Sequence, residues 1–175
     1  MSVRRLVACL AIAALASAQS PKYGVGRTPT EQEVRALSFS IAPDGTGLPK
    51  GSGSAVEGRA TYAQHCAMCH GEEGADARLP LVGGQGSLAT DKPLKTVGSF
   101  WPYATSVWNY VNRAMPFNQP GLLSTSEVYA SVAYILYMNG IVKENEVLDA
   151  RTLPKIRMPN RDGFVPDPRP DVGRR

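Results

Sequence analysis

The amino-acid sequence predicts an all-α domain of three or more helices, flanked by an extended N-terminal arm and a C-terminal tail. Two capping boxes, Ser54 with Glu57 and Ser124 with Glu127, each precede an apolar segment and so open a helix. Between them, apolar residues recur at helical spacing over residues 104–113. These three segments set the fold class and place the main domain at 54–142.

The first helix is expected to run from about Ala55 into Cys66, with Gly58 and Tyr62 four residues apart on one face. A glycine inside a helix costs on the order of 1 kcal/mol relative to alanine, which favours close approach of a second helix over a tolerated glycine. The last helix is predicted from Val128 to Met138, ends at Gly140, and is expected to cross this face.

Residues 1–18 have the features of a cleavable secretory signal. The basic pair Arg4 and Arg5 precedes an apolar stretch too short to span a membrane, and Ala16-Ser17-Ala18 resembles a cleavage site. Cys9 would leave with the signal. We therefore expect a periplasmic protein with no integral membrane segment once the signal is removed.

The arm at 19–53 is rich in turn-forming residues, but Thr28-Pro29-Thr30-Glu31 predicts a capping box and a short helix to about Leu37. The tail at 143–175 contains five prolines, which exclude a long helix. Neither segment is expected to pack a core alone. We hypothesise that residues 20–53 and 151–175 wrap a partner protein.

Charge argues against nucleic-acid binding. Without Arg4 and Arg5 the chain has 17 basic and 15 acidic residues, a formal charge of +2. The basic charge is concentrated in the tail, where residues 151–175 contain seven basic and three acidic residues.

The motif Cys66-Ala67-Met68-Cys69-His70 carries the strongest chemical signal in the chain. Two cysteines at this spacing can bond covalently to the two vinyl groups of one haem, and the histidine that follows can bind the iron. A zinc half-site and a redox dithiol are the alternatives. Zinc needs four ligands, for which only His65 and Cys9 remain, and a dithiol needs no histidine.

Five side chains are candidates for the second axial ligand of the iron. Met68 and His65 are tied to the proximal side, whereas Met138 lies inside a predicted helix. Met115 precedes Pro116, which ends the predicted helix over residues 104–113 and places the thioether on a loop, so we assign Met115 as the ligand. Met158, also before a proline, and an open site remain the alternatives.

Three further residues are candidates for the haem pocket. Pro80 could present a backbone carbonyl to the free ring nitrogen of His70, which would orient the imidazole. Trp101 and Tyr103 belong to an aromatic-rich segment and carry polar hydrogens that could reach the haem propionates. Ordinary core packing is the alternative for these two.

The order of these landmarks resembles the class I cytochrome c domain over residues 54–142. A narrower resemblance, to the cytochrome subunit of the Sox sulfane dehydrogenase and related sulfite dehydrogenase cytochromes, covers nearly the whole mature chain. It rests on the segments Tyr23-Gly24-Val25-Gly26-Arg27, Pro43-Asp44-Gly45-Thr46-Gly47-Leu48-Pro49, Lys95-Thr96-Val97-Gly98-Ser99-Phe100-Trp101-Pro102-Tyr103-Ala104, Arg113-Ala114-Met115-Pro116-Phe117 and Arg157-Met158-Pro159-Asn160-Arg161-Asp162-Gly163-Phe164.

This resemblance implies a subunit with one covalent haem c that accepts electrons from a molybdenum-cofactor dehydrogenase subunit and passes them to a soluble cytochrome c. Some members have a second haem domain, whereas this chain has one haem motif. The subunit would belong to an oxidoreductase without being catalytic alone, and no catalytic residue is assigned. A free-standing periplasmic carrier and a haem enzyme with an open distal site are the alternative functions.

Overall fold

The computed structural model describes residues 25–38, 40–75, 78–167 and 169. The predicted signal at 1–18 and the residues Tyr23 and Gly24 lie outside this part of the chain. The chain divides into two units between Leu37 and Ser38.

Helix α1 (Glu31–Leu37) lies in the first unit and ends where the sequence predicted. Its capping box differs from the predicted one, because Thr30 rather than Thr28 is the capping residue. The Glu33 amide donates to Thr30 Oγ1 (3.2 Å), and the Glu33 carboxylate accepts from the Thr30 amide (2.8 Å). Since Glu33 lies three residues after Thr30, this pair satisfies two amides that the helix itself leaves unbonded.

Helix α2 (Ala55–His65) begins as predicted at the Ser54–Glu57 capping box and ends at the haem motif. The next four residues form the short helix α3 (Ala67–His70), which ends at Gly71 with a positive φ of 79°. A positive φ is available to glycine at little cost, so Gly71 can turn the chain out of the motif.

Helix α4 (Ala104–Ala114) ends at Met115, whose extended backbone confirms the predicted effect of the following proline. Helix α5 (Thr125–Met138) begins directly after Ser124, three residues before the predicted start, and is capped at its end by Asn139. The all-α fold class is confirmed. Among the described residues, no helix is long and apolar enough to cross a lipid bilayer.

Helices α2 and α5 pack against each other at Gly58, as expected from the sequence. A Cβ atom at position 58 would clash with the carbonyl oxygen of Ala130 on α5. One turn later along α2, the Tyr62 ring packs against that of Tyr134, with 5.2 Å between ring centroids. The backbones can approach this closely only because residue 58 has no side chain.

The arm residues from Ile41 onward pack on the helices instead of extending away from them. Strand β1 (Ser52–Gly53) pairs antiparallel with strand β2 (Leu148–Asp149) from the tail. The Tyr129 hydroxyl of α5 donates to the carbonyl of Pro49 (3.0 Å), and Ile41 and Leu48 pack against the core.

The tail, like the arm, packs into the core of the helices and does not form a core of its own. Leu148, Leu153 and Met158 are at most 1% exposed and belong to the same core as α2, α4 and α5. Prolines exclude a long helix, but two strand residues and a single 3₁₀ turn (Leu153–Lys155) suffice to direct these side chains inward. The hydrophobic domain therefore extends past residue 142, to at least Met158.

Replacing Gly58 with alanine tests the α2–α5 contact. Helix propensity alone would make Gly58→Ala stabilising by about 1 kcal/mol. The clash with Ala130 should instead make it destabilising by about 1–3 kcal/mol, seen as a lower midpoint in thermal or urea unfolding.

The matched control is Ala60→Gly at an exposed position of the same helix, which should lose about 1 kcal/mol through propensity alone. A Gly58→Ala protein more stable than the wild type would contradict the close approach.

Candidate haem-binding site

The five residues of the haem motif form a single helical turn that continues from α2. The Cys66 amide donates to the Tyr62 carbonyl (2.8 Å), and the amides of Cys69 and His70 donate to the Cys66 carbonyl (3.1 and 3.0 Å). Because residues three apart share a helix face, positions 66 and 69 lie on the same side of this turn. A porphyrin edge presents its two vinyl groups at such a spacing.

The two cysteines differ in their surroundings. Cys66 is partly buried against the core, whereas Cys69 is exposed, and both are free of disulfide bonds. Burial, with a smaller contribution from Cys69, raises the pKa of the Cys66 thiol to about 11. At neutral pH Cys66 is therefore a neutral thiol in a largely apolar environment, which suits a side chain that ends beside a porphyrin ring.

His70 is oriented by a backbone carbonyl. Its Nδ1 lies 2.7 Å from the carbonyl oxygen of Leu79. A carbonyl can only accept, so Nδ1 is the protonated nitrogen, and the lone pair is on Nε2, where it can bind a metal. The sequence assigned the carbonyl to Pro80; the structure places it one residue earlier, on Leu79.

The segment after His70 is fixed by helix α2 and by its own backbone. The buried Tyr62 hydroxyl donates to the Gly71 carbonyl (3.0 Å). The amides of Leu81 and Val82 both donate to the Gly74 carbonyl (2.7 and 3.0 Å). This loop therefore folds back on the motif that it follows.

The methionines have very different environments. Met115 is half-buried against the core at the end of α4, and Met68 is 88% exposed. Met158 is 1% exposed inside the core, and Met138 is partly buried at the end of α5. A side chain with a free face at the core's edge can serve as a ligand, whereas one enclosed by hydrophobic neighbours cannot without repacking. This favours Met115 over Met158.

The two aromatic candidates lie at the start of α4 and are half-buried. Trp101 packs edge-on against Tyr110, with 5.6 Å between ring centroids. Tyr103 is covered by the guanidinium of Arg161, 4.2 Å from the ring centroid. The contact with Arg161 could not be foreseen, because no sequence signal links a tail arginine to a tyrosine 58 positions earlier.

The residues present fit a haem group. A donor set of two thiols and an oriented imidazole suits haem c, and Cys66, Leu81, Trp101 and Met115 are half-buried apolar residues packed on the same core. Within the described residues, four buried polar atoms have no hydrogen-bond partner: Thr105 Oγ1, Trp108 Nε1 and Asn109 Oδ1 of α4, and Ser131 Oγ of α5. Buried polar groups are normally bonded, and such atoms agree with a bound group that carries polar substituents.

Among the described residues, no three His, Cys, Asp or Glu side chains come together in a way that could hold a single metal ion. The described part of the chain thus offers Cys66, Cys69 and His70 no partners for a zinc site.

Comparison with known proteins gives two matches. Residues 53–135 match the family model for cytochrome C oxidase, cbb3-type, subunit III. The crystal structure of the sulfane dehydrogenase SoxCD from Paracoccus pantotrophus contains a chain that is 41% identical, with a TM-score of 0.78. That similarity covers 87% of this chain and 76% of the other. Among curated protein sequences, none matches significantly.

The haem motif, the helical fold and the extent of this similarity agree with one another. The chain therefore belongs to the class I c-type cytochromes, in the family of the cytochrome subunit of the Sox sulfane dehydrogenase.

Proposed function

We propose that this protein is a periplasmic mono-haem cytochrome subunit that transfers single electrons from a sulfur-compound dehydrogenase to a soluble cytochrome c. The proposal is supported by the turn at 66–70, which brings both cysteine positions onto one helix face, and by the bond from His70 Nδ1 to the Leu79 carbonyl, which leaves Nε2 to bind iron. Haem c supplies a one-electron couple at its iron. The chain's part is to hold, orient and shield that group.

In this proposal Cys66 and Cys69 form the thioether bonds, and His70 is the proximal ligand. The folded turn supports this assignment, because its backbone hydrogen bonds hold residues 66, 69 and 70 in one helical turn. One such motif in the chain means one haem.

Met115 is the proposed distal ligand. Its position at the end of α4 supports the role, because Pro116 ends the helix and leaves the half-buried thioether on extended backbone. A histidine and a thioether together saturate the iron and raise its reduction potential, which suits electron transfer and leaves no position for a substrate.

Pro80, Trp101 and Tyr103 are proposed as pocket residues. Pro80 fixes the backbone that presents the Leu79 carbonyl to His70. The half-buried aromatic rings supply apolar surface for a porphyrin, and their polar hydrogens are able to bond to propionates.

The partner assignment rests on the similarity to a chain of SoxCD over most of both chains. We infer a molybdenum-cofactor dehydrogenase subunit as electron donor and a soluble cytochrome c as acceptor. Export by the N-terminal signal would place the protein in the periplasm, where such a complex would work.

The structure limits which segments are available to a partner. Residues 41–53 and 143–158 pack on the helices. The hypothesis that the arm and tail wrap a partner therefore applies only to the parts of the arm and tail outside these two ranges. The exposed side chain of Val165 follows this packed region and is available to contact another protein, whereas Phe164 packs against Phe100 with 5.3 Å between ring centroids.

The axial ligand can be tested with two methionine variants. Met115→Ala should abolish the weak far-red absorption of a sulfur–iron bond and let the ferrous protein bind carbon monoxide readily, because the sixth position opens. Met158→Ala should retain that absorption and lose about 2–5 kcal/mol of stability, because it leaves a cavity in the core.

Absorption spectra and urea unfolding of the two purified holoproteins distinguish these effects. If Met158→Ala removed the far-red band and Met115→Ala kept it, the assignment of the distal ligand would be wrong.

The partner is tested by co-purification from the native host with an affinity tag on the mature chain. A molybdenum-containing protein should co-purify in a fixed ratio, and adding thiosulfate or sulfite to the complex should reduce the haem. Deleting residues 165–175 should weaken this association while the haem spectrum and the melting temperature stay unchanged, because the deletion starts beyond the core.

A monodisperse monomer with no associated molybdenum would favour the free-standing carrier. The longer deletion of residues 151–175 is unsuitable as a control, because it removes Leu153 and Met158 from the core.

A further inference from the structure

Asn139, which caps the end of α5, makes an unusual set of hydrogen bonds. Its side chain is 9% exposed. The side-chain Nδ2 donates to the carbonyls of Leu81 (3.1 Å) and Ile135 (2.9 Å), and Oδ1 accepts from the Gly83 amide (3.2 Å). Both donors and the acceptor of the side chain are therefore in use.

Only one of these three bonds serves the helix itself. The bond to Ile135 satisfies a carbonyl at the helix end, which is the ordinary role of a capping side chain. The other two bonds reach residues 58 and 56 positions earlier in the chain, Leu81 and Gly83. Helix capping explains neither of them.

The same loop is bonded from a second side by the segment that precedes α4. Thr96 Oγ1 donates to the Gly83 carbonyl (2.6 Å), and the Val97 amide donates to the Leu81 carbonyl (3.2 Å). Gly98 completes the arrangement, because a Cβ atom there would clash with Asn139 Oδ1. The side-chain amide thus fits into a space that only a glycine leaves open.

This loop is the one that orients His70. The carbonyl that accepts from His70 Nδ1 belongs to Leu79, two residues before Leu81. Pro80 lies between them and has a fixed φ, so a displacement of Leu81 also displaces the Leu79 carbonyl. A short covalent path therefore connects the bonds of Asn139 to the ring nitrogen of His70.

We propose that Asn139 is a positioning residue that holds the 79–83 loop in place and thereby sets the strength of the Leu79–His70 hydrogen bond. The inference rests on the proposed role of His70 as proximal haem ligand. A strong bond from Nδ1 to a carbonyl makes the imidazole a better electron donor and stabilises the oxidised iron. When the loop is free to move, this bond weakens and the reduction potential rises.

The test uses three variants of the holoprotein. Asn139→Leu preserves the side-chain volume approximately and removes all three bonds. Thr96→Val removes the bond to Gly83 from the other side and leaves the α5 cap intact. Gln85→Ala is the matched control, because the Gln85 amide donates to the backbone carbonyl of Asn139 (2.8 Å) and not to its side chain.

The midpoint potential should rise in Asn139→Leu, rise less in Thr96→Val and remain unchanged in Gln85→Ala. In NMR spectra of the reduced protein, the His70 Nδ1 proton should exchange with solvent about tenfold faster in Asn139→Leu than in the wild type. Loss of a helix cap alone would lower the melting temperature without moving either quantity.

The inference is overturned if folded Asn139→Leu has the wild-type potential and exchange rate. Should that variant not fold, Thr96→Val decides, since an unchanged potential there also overturns it. Failure of the proposed function itself would look different, because the wild-type protein would then lack the spectrum of a histidine-bound haem.

Discussion

The close contact between α2 and α5 is the constraint on which the rest of the structure depends. Gly58 lets the two backbones approach until the Ala130 carbonyl occupies the space of a side chain, and Tyr62 then packs on Tyr134. The haem motif is the direct continuation of α2. Fixing α2 against α5 therefore fixes the position of Cys66 and His70 relative to the core.

The same pair of helices controls the loop that orients the histidine. From α2, the Tyr62 hydroxyl bonds to Gly71, and from the end of α5, Asn139 bonds to Leu81 and Gly83. The loop between these hydrogen bonds presents the Leu79 carbonyl to His70. The packing of the two helices therefore helps to orient the His70 imidazole, and a hydrogen bond of this kind orients a histidine that binds a metal.

The elements that depend on local sequence signals could be predicted. The capping boxes at Ser54 and Ser124 gave the starts of α2 and α5 to within three residues, and Pro116 gave the end of α4. The haem motif could be recognised in the same way, because covalent haem attachment requires cysteines and a histidine that are close together in the sequence. Gly58 also predicted the close approach of a second helix, because a glycine inside a helix is unfavourable unless packing requires it.

Long-range contacts were not accessible in this way. Leu148, Leu153 and Met158 sit among prolines with no helical or strand period, so nothing local shows that they are buried in the core. Asn139 reads as an ordinary helix end, although its side chain bonds to a loop far away in the sequence. Tertiary packing determines both the burial of these side chains and the bonds of Asn139, and the periodicity of the sequence does not predict either.

The central claim is that haem is bonded covalently to Cys66 and Cys69, and intact-protein mass spectrometry tests it most directly. The mature chain, purified and fully denatured, should have the mass of the polypeptide plus one haem, and a protein with both cysteines changed to serine should have the polypeptide mass alone. A wild-type chain that loses all haem on denaturation would contradict the account.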